Sequence, residues 1–290
     1  MGLPANASPA VSPRLIFDIG FHNGDDSAYY LSREYTVVAV DANPLVIDQA
    51  RQRFGPEIAS GQLTLVNAAM WHACGETIPF YVNEVFSGKS SIDPDRDQPG
   101  GRFHRIDVGT TTIADLCSRY GIPWYLKIDI EGADGVVLDT LPREWPMPKY
   151  LSCELGEGHS MVDRLSTLGY TSFKLINPDT LTQSLPIYNS EYFVRGLRKA
   201  STLCPPVRSL IARLPTRIRP RKILWDPPRT RFSYEFSRYA TGPFGEDTDG
   251  PWLSEKEMRS RLDYLFTQNQ RDGIKRYWFD LHARLGGHPI

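Results

Sequence analysis

The first two thirds of the chain alternate two hydrophobic rhythms. Apolar runs of five to seven residues occupy 15–20, 36–41, 63–68, 124–130, 150–154 and 171–176, and their near-continuous apolar character predicts strands covered on both faces. Between them, 25–33, 44–54, 112–120, 133–141 and 160–168 carry apolar residues at helical spacing. A shorter stretch, 78–83, reads as an inserted strand. Strands alternating with helices in this way predict an α/β fold with a doubly wound, mostly parallel sheet, which binds ligands over the carboxyl ends of its strands. After Ile176 the rhythm gives way to Pro-rich and basic connections. It resumes in helices predicted at 254–267 and 271–285, the first opening on a Ser254-x-x-Glu257 capping box. The expected organisation is a disordered lead-in at 1–13, a ligand-binding domain at 14–176 and a C-terminal helical and irregular elaboration at 177–290.

The first strand ends in Asp18-Ile19-Gly20, a second glycine follows at Gly24, and the second strand ends in Asp41. The glycines let the backbone pass close beneath a ligand, and the helix start beyond them offers unpaired N–H groups. An acid in the position of Asp41 can accept hydrogen bonds from both hydroxyls of a ribose. A dinucleotide fold asks for G-x-G-x-x-G, whereas here the pattern is Asp18-x-Gly20-x-x-x-Gly24 with no third glycine. Asp18 would also repel a pyrophosphate. It suits a ligand with a positive end, such as the ammonium and sulfonium of S-adenosylmethionine. A nicotinamide cofactor and a merely connecting turn are the competing readings.

Composition narrows the class. Of 290 residues, 41% are hydrophobic and 23% charged, the values of an ordinary globular protein. No apolar run reaches the roughly eighteen residues of a membrane span, and the start lacks the order of a signal peptide. The four cysteines, Cys74, Cys117, Cys153 and Cys204, are too scattered for a zinc site or a disulfide scaffold. A cytoplasmic location is expected. The net charge of −1 conceals a division: residues 1–190 carry 14 basic and 23 acidic side chains, residues 191–290 carry 19 and 11. The basic excess lies at 195–231. It reads as a solvated surface, as recognition of an anionic molecule, or as peripheral docking on an anionic membrane through the amphipathic 207–214. Nucleic-acid binding is not expected, because basic and aromatic residues are not interleaved as in the usual modules.

The second distinctive stretch is Tyr125-Leu126-Lys127-Ile128-Asp129-Ile130-Glu131-Gly132-Ala133-Asp134. Alternation places Lys127, Asp129 and Glu131 on one side of an extended strand. Three charges on a buried strand are costly unless they pair with one another or serve a ligand. A structural Lys–acid pair is one reading. Projection of Asp129 and Glu131 into the mouth of a site is the other.

Phe17-Asp18-Ile19-Gly20, Val40-Asp41-Ala42-Asn43-Pro44 and Leu126-Lys127-Ile128-Asp129-Ile130-Glu131-Gly132-Ala133-Asp134, with Asn67-Ala68-Ala69 and Ser90-Ser91 between them, resemble the FkbM family of S-adenosylmethionine-dependent methyltransferases. The resemblance runs from about Leu15 to Ile176, with Asp134 standing where Glu is expected. It implies a class I, Rossmann-like methyltransferase fold and O-methylation of a hydroxyl on a sugar, glycosylated metabolite or polyketide-type natural product. The cofactor residues it carries over are Asp18, Gly20, Gly24 and Asp41, with Asn67 near the adenine. The C-terminal elaboration would then cover the acceptor.

Methyl transfer to a hydroxyl needs alignment of the acceptor and removal of its proton. A divalent cation, Mg²⁺ by its preference for oxygen ligands, could be held by Asp129 and Glu154, with Glu157 and His159 completing the shell. A general base is the other route, with His159 or His22 as candidates and Asp129 or Glu131 as substitutes. His72, His104, His282 and His288 read as structural, as does the loop Gly242-Pro243-Phe244-Gly245-Glu246-Asp247. The partner expected is a small-molecule or carbohydrate acceptor, and a homo-oligomer is compatible with the sequence. A nicotinamide-dependent oxidoreductase and a non-catalytic nucleoside-binding module that engages a partner through its basic tail remain as rivals.

Overall fold

The computed structural model describes residues 9–85, 87–93, 102–156, 158–178, 181–183, 234, 236, 240–272 and 279–286. The basic segment 195–231, Glu157, Cys204, His288 and the first eight residues of the lead-in lie outside the described residues. The chain divides into two compact units between Cys153 and Glu154.

The first unit is built on five parallel strands in the order β8-β7-β1-β2-β3. These are β1 (Val11–Ile19), β2 (Thr36–Asp41), β3 (Leu63–Asn67), β7 (Ile122–Ile128) and β8 (Tyr150–Glu154). Helices α1 (Asp25–Ser32), α2 (Pro44–Arg53), α3 (Gly55–Ala59), α4 (Ile113–Tyr120) and α5 (Asp134–Asp139) connect them. Ile16, Phe17, Val37, Ala39, Leu126 and Leu151 are wholly buried, as both-faces-covered strands require. The helix starts follow from their caps. Asn43 accepts from the Leu45 N–H at 3.1 Å ahead of Pro44, and Thr112 accepts from the Asp115 N–H at 3.0 Å. Residues 11–13, expected to be disordered, instead begin β1, with Val11 in register with Ile122 and Ser12 with Pro123. Strand pairing with β7 orders a segment whose composition is that of a loop.

Between β3 and α4 the chain builds a second, three-stranded sheet in the order β4-β6-β5. It consists of β4 (Ala69–Met70), β5 (Thr77–Asn83) and β6 (Phe103–Thr111). The pattern predicted β5, but β6 is an addition: polar His104, Arg105 and Asp107 mask its alternation of Ile106 and Val108. Ala69, Phe80, Val82 and Val108 close into a small core of their own.

The second unit is antiparallel. Strand β9 (Tyr170–Asn177) pairs with β10 (Thr182–Gln183), β11 (Leu253–Ser254) and β12 (Asp280–Leu285). Residues 280–285 were expected in a helix over 271–285, and they are a strand because Phe279, Leu281, Ala283 and Leu285 alternate with Asp280, His282 and Arg284. Pairing with β12 places β9 in the second unit, which begins at Glu154. Helices α6 (His159–Thr167) and α7 (Glu255–Asp272) pack on this sheet. α7 presents Met258, Leu262 and Leu265 at helical spacing, while Phe173, Leu175, Leu281 and Ala283 fill the sheet's buried apolar positions. The predicted capping box forms, Ser254 N–H donating to Glu257 at 2.7 Å and Glu257 N–H to Ser254 Oγ at 3.4 Å.

Polar side chains share a row on β9 and β12, where Lys174 lies in register with His282. The Lys174 ammonium donates to the Thr248 carbonyl at 3.0 Å and to its hydroxyl at 2.9 Å, and sits 4.5 Å from the Trp252 ring. Glu246 accepts from Trp252 Nε1 and Arg284, both at 2.9 Å. Glu246 thus ties the loop carrying Gly242 to Asp247 to Trp252 and to β12. Among the described residues, no helix is long and apolar enough to cross a membrane.

His282 is 1% exposed, and burial with the neighbouring Lys174 charge lowers its pKa to about 3. The unfolded chain takes up this proton near pH 6.5, the folded chain only near pH 3. Stability is therefore expected to fall as pH drops below about 6.5, by up to about 1.4 kcal/mol per pH unit from this group. Urea unfolding at pH 7 and pH 5 checks it: His282→Leu should flatten the pH dependence, and an unchanged slope would exclude His282 as its source.

Candidate functional site

The carboxyl ends of β1, β2 and β7 open on a cavity of about 620 Å³, counted into open solvent. In the first unit's sheet, β1 lies between β7 and β2, so the cavity is at the point where the chain winds away in both directions. Ile19 ends β1, with Gly20 and His22 after it, Val40 and Asp41 end β2, with Ala42 after them, and Asp129, Ile130 and Glu131 follow β7. The three-stranded sheet and the segment between β5 and β6 supply an apolar wall of Met70, Phe80 and Ile92, with Ser90 beside them. Sequence reasoning did not place these wall residues. Only the Ser90-Ser91 pair gave a signal, and Ser91 Oγ donates to the Glu131 carbonyl at 3.2 Å.

Gly20 has φ +87°, and a Cβ there would collide with the Asp129 carbonyl oxygen. The ends of β1 and β7 can meet this closely only through glycine. Their backbones are joined by the Asp129 N–H donating to the Ile19 carbonyl at 2.9 Å. Gly24 serves the fold rather than the cavity. It starts α1 at φ +75°, where a Cβ would run into the rings of Phe21 and Phe54.

Asp41 accepts backbone N–H bonds on both carboxylate oxygens, from His22 at 2.9 Å and from Asn43 at 2.8 Å. These fix its orientation at the cavity. Burial nevertheless outweighs them and pushes its pKa up to about 6. His22 adopts φ +50° and Glu131 φ +49°, left-handed conformations that cost a non-glycine residue free energy and gather at functional sites. Burial lowers the His22 pKa, opposed by the negative charge of Asp129 and reinforced by the positive charge of Lys127. Its imidazole is consequently neutral at neutral pH.

Asp18, expected to face a cationic ligand, is fully buried and does not line the cavity. Its cation is Lys127, whose ammonium donates to Asp18 Oδ1 at 2.9 Å, while Ser27 Oγ donates to Oδ2 at 2.6 Å. The structural Lys–acid pair weighed from the sequence is thus present, and its acid is Asp18. Asn67 is exposed at the end of β3 and bonds the Asp41 and Ala42 carbonyls at 2.9 and 3.2 Å. It holds the turn after β2 instead of lining the cavity. Asp134, which stands where the resemblance led one to expect Glu, accepts from the Ile130 N–H at 3.1 Å.

The cavity lining comes wholly from the first unit. His159 belongs to the second, where its Nε2 is 2.9 Å from Asp263 and its ring meets Phe266 edge-on. Glu154 is the second unit's first residue. Among the described residues, no three His, Cys, Asp or Glu side chains are arranged to hold a metal ion. Asp129 instead lies 3.8 Å from the Lys127 ammonium. The expected Asp129–Glu154 site for Mg²⁺ is not supported, and His159 is not among the residues lining the cavity.

The Methyltransferase FkbM domain matches residues 18–170, more than half of the chain. The chain belongs to the FkbM methyltransferase family. No curated protein matches the sequence. Among solved structures it is similar to the precorrin-6y C5,15-methyltransferase from Geobacter metallireducens GS-15, at 14% identity and a TM-score of 0.30, over 58% of this chain and 69% of that chain. The first unit of this FkbM methyltransferase is an α/β, Rossmann-like fold with a parallel sheet, as its hydrophobic rhythm predicted. Membership favours methyl transfer over the nicotinamide reading of the Gly20 turn.

Asp18→Asn leaves the Lys127 ammonium buried without its closest anion. It should cost the fold on the order of 3 kcal/mol, read as a lowered urea midpoint. An unchanged midpoint would show that the pair contributes nothing net to stability.

Proposed function

We propose that this FkbM methyltransferase uses S-adenosylmethionine to methylate a hydroxyl of a sugar, glycosylated metabolite or polyketide-type natural product. The observation that carries the reading is Asp41, an acid fixed by two backbone N–H groups at the end of β2 and lining the cavity. Its oxygens keep lone pairs for the two hydroxyls of a ribose. The donor set fits the cofactor in charge as well. Asp41, Asp129 and Glu131 line the cavity and, among the described residues, no lysine or arginine does, so a ligand with a sulfonium and an ammonium meets complementary charge. The apolar wall of Met70, Phe80 and Ile92 suits the adenine face.

When bound, the donor supplies a methyl group on positively charged sulfur, and its transfer to a hydroxyl yields the methyl ether, S-adenosylhomocysteine and one proton. The chain's own residues must orient the acceptor and take that proton. His22 is placed for this: it lines the cavity, it is neutral, and the Asp129 carboxylate favours its protonated form once the proton arrives. The hydroxyl proton passes to a ring nitrogen of His22. The Asp129 carboxylate stabilises the positive charge that develops there.

Calorimetric titration with S-adenosylhomocysteine and, separately, with NAD tests the reading. S-adenosylhomocysteine should bind and NAD should not. Asp41→Ala should weaken the binding by about 1–3 kcal/mol, roughly ten- to a hundredfold. Unchanged affinity in this variant, or preference for NAD, would overturn the proposed pocket.

The pH dependence follows from the same acid. Ribose hydroxyls favour the ionised carboxylate, which is lost as pH falls through about 6. Affinity for S-adenosylhomocysteine should therefore be level above pH 7 and decline below pH 6. Asp41→Asn should abolish that decline, and persistence of the decline in the variant would assign it to another group.

A further inference from the structure

Lys127 sits on β7 in register with Asp18 of β1 and is 2% exposed. Its ammonium donates to Asp18 Oδ1 at 2.9 Å and to the Gly20 carbonyl at 3.2 Å. It also lies 3.5 Å from Asp26 of α1 and 3.8 Å from Asp129. Burial alone would strip the proton from such a lysine. The surrounding carboxylates of Asp18, Asp26 and Asp129 reverse this and hold its pKa well above the ordinary value.

A structural ion pair needs only one of these anions. Asp18, with its second oxygen bonded to Ser27, would satisfy it. The remaining contacts point elsewhere, because Gly20 and Asp129 line the cavity. Gly20 is the residue whose missing Cβ lets the ends of β1 and β7 touch, and Asp129 follows the last residue of β7. Asp129 has a side chain 45% exposed, so solvent competes for it, and the Lys127 ammonium stands 3.8 Å behind it. The other charged and titratable groups around this centre are Tyr30 of α1, Tyr125 of β7, His22 and Asp25 after β1, and Asp41 of β2.

We infer that Lys127 is a positioning residue of the donor cavity, one buried ammonium that holds the Gly20 carbonyl and the Asp129 carboxylate in the cavity wall. This rests on the reading of the cavity as the donor site. Lys127 itself does not line the cavity. It acts through Gly20 and Asp129, the two wall elements its protons reach from behind.

Removing both charges of the pair distinguishes positioning from simple ion pairing. Lys127→Met alone leaves Asp18 and Asp26 buried without their cation, so it lowers stability whichever role is correct. Asp18→Asn combined with Lys127→Met removes the closer of these two stranded anions, leaving only Asp26, and should recover part of the unfolding midpoint. If Lys127 positions the wall, the double variant still binds S-adenosylhomocysteine at least tenfold more weakly than the unaltered chain. Wild-type affinity in the folded double variant would overturn the inference while leaving the donor-site reading intact.

A measurement on the unaltered protein does not depend on whether the variants fold. In ¹⁵N-lysine-labelled protein, the Lys127 ammonium should give a slowly exchanging resonance that shifts when S-adenosylhomocysteine is added. An ammonium resonance that does not respond to saturating ligand would overturn the positioning role. Failure of the unaltered chain to bind S-adenosylhomocysteine at all would overturn the donor-site reading, and this inference with it.

Discussion

A protonated amine withdrawn from water at the ends of two parallel strands loses its hydration and must recover it from fixed oxygens. In this chain the Lys127 ammonium recovers it from Asp18 and Gly20 of one strand end, from Asp26 of the following helix and from Asp129 of its own strand end. The residues concerned come from two segments 109 positions apart. Their meeting requires β1 and β7 to be neighbours in one register, with Asp18 opposite Lys127. The same requirement explains two features of the β1 turn. Asp18 must be an acid although no ligand touches it, and Gly20 must lack a side chain because the Asp129 carbonyl occupies the space.

The cavity is a consequence of that junction. Once β1 and β7 are tied together and β2 lies on the other side of β1, the three strand ends surround a space that water or a ligand must fill. The chain charges its rim with Asp41, Asp129 and Glu131 and covers its flank with the small apolar sheet. That sheet has its own core of Ala69, Phe80, Val82 and Val108, so its wall residues are held from behind and do not depend on a ligand for their order. The left-handed backbone at His22 and Glu131 is tolerated because both are flanked by fixed hydrogen bonds, His22 N–H to Asp41 and Ser91 Oγ to the Glu131 carbonyl.

The second unit solves a different problem, because its antiparallel sheet has an apolar row and a polar row on β9 and β12. Helix α7 serves the apolar side through Met258, Leu262 and Leu265. The polar side is covered by the segment from Gly245 to Trp252, which brings Thr248 to Lys174 and places the Trp252 ring near two cations. Lys174 keeps hydrogen bonds and a ring face in place of water, and its pKa is lowered by the burial. The unit thus carries charged residues inside an antiparallel sheet at the cost of a histidine that cannot protonate near neutral pH.

Period and punctuation along the chain determined the five parallel strands of the first unit and helices α1, α2, α4 and α5 beside them, since continuous apolar runs have few ways to hide except between two helical layers. They also determined the Gly20 turn, the acid at Asp41 and the capping box at Ser254, all of which depend on residues close in sequence. Strand β12 was legible too, in the alternation from Phe279 to Leu285, but a helical expectation carried across it from α7 obscured that period-two signal. What only the tertiary structure decided is which charges meet. From the sequence Asp18 looked free to face a ligand, and Lys127, Asp129 and Glu131 looked equivalent on one side of a strand. Pairing across 109 residues gave Asp18 to Lys127, left Asp129 at the rim and turned Glu131 through a left-handed bend. Local pattern fixes the face a side chain presents, but the partner waiting on that face is set by strand order and register, which no local pattern contains.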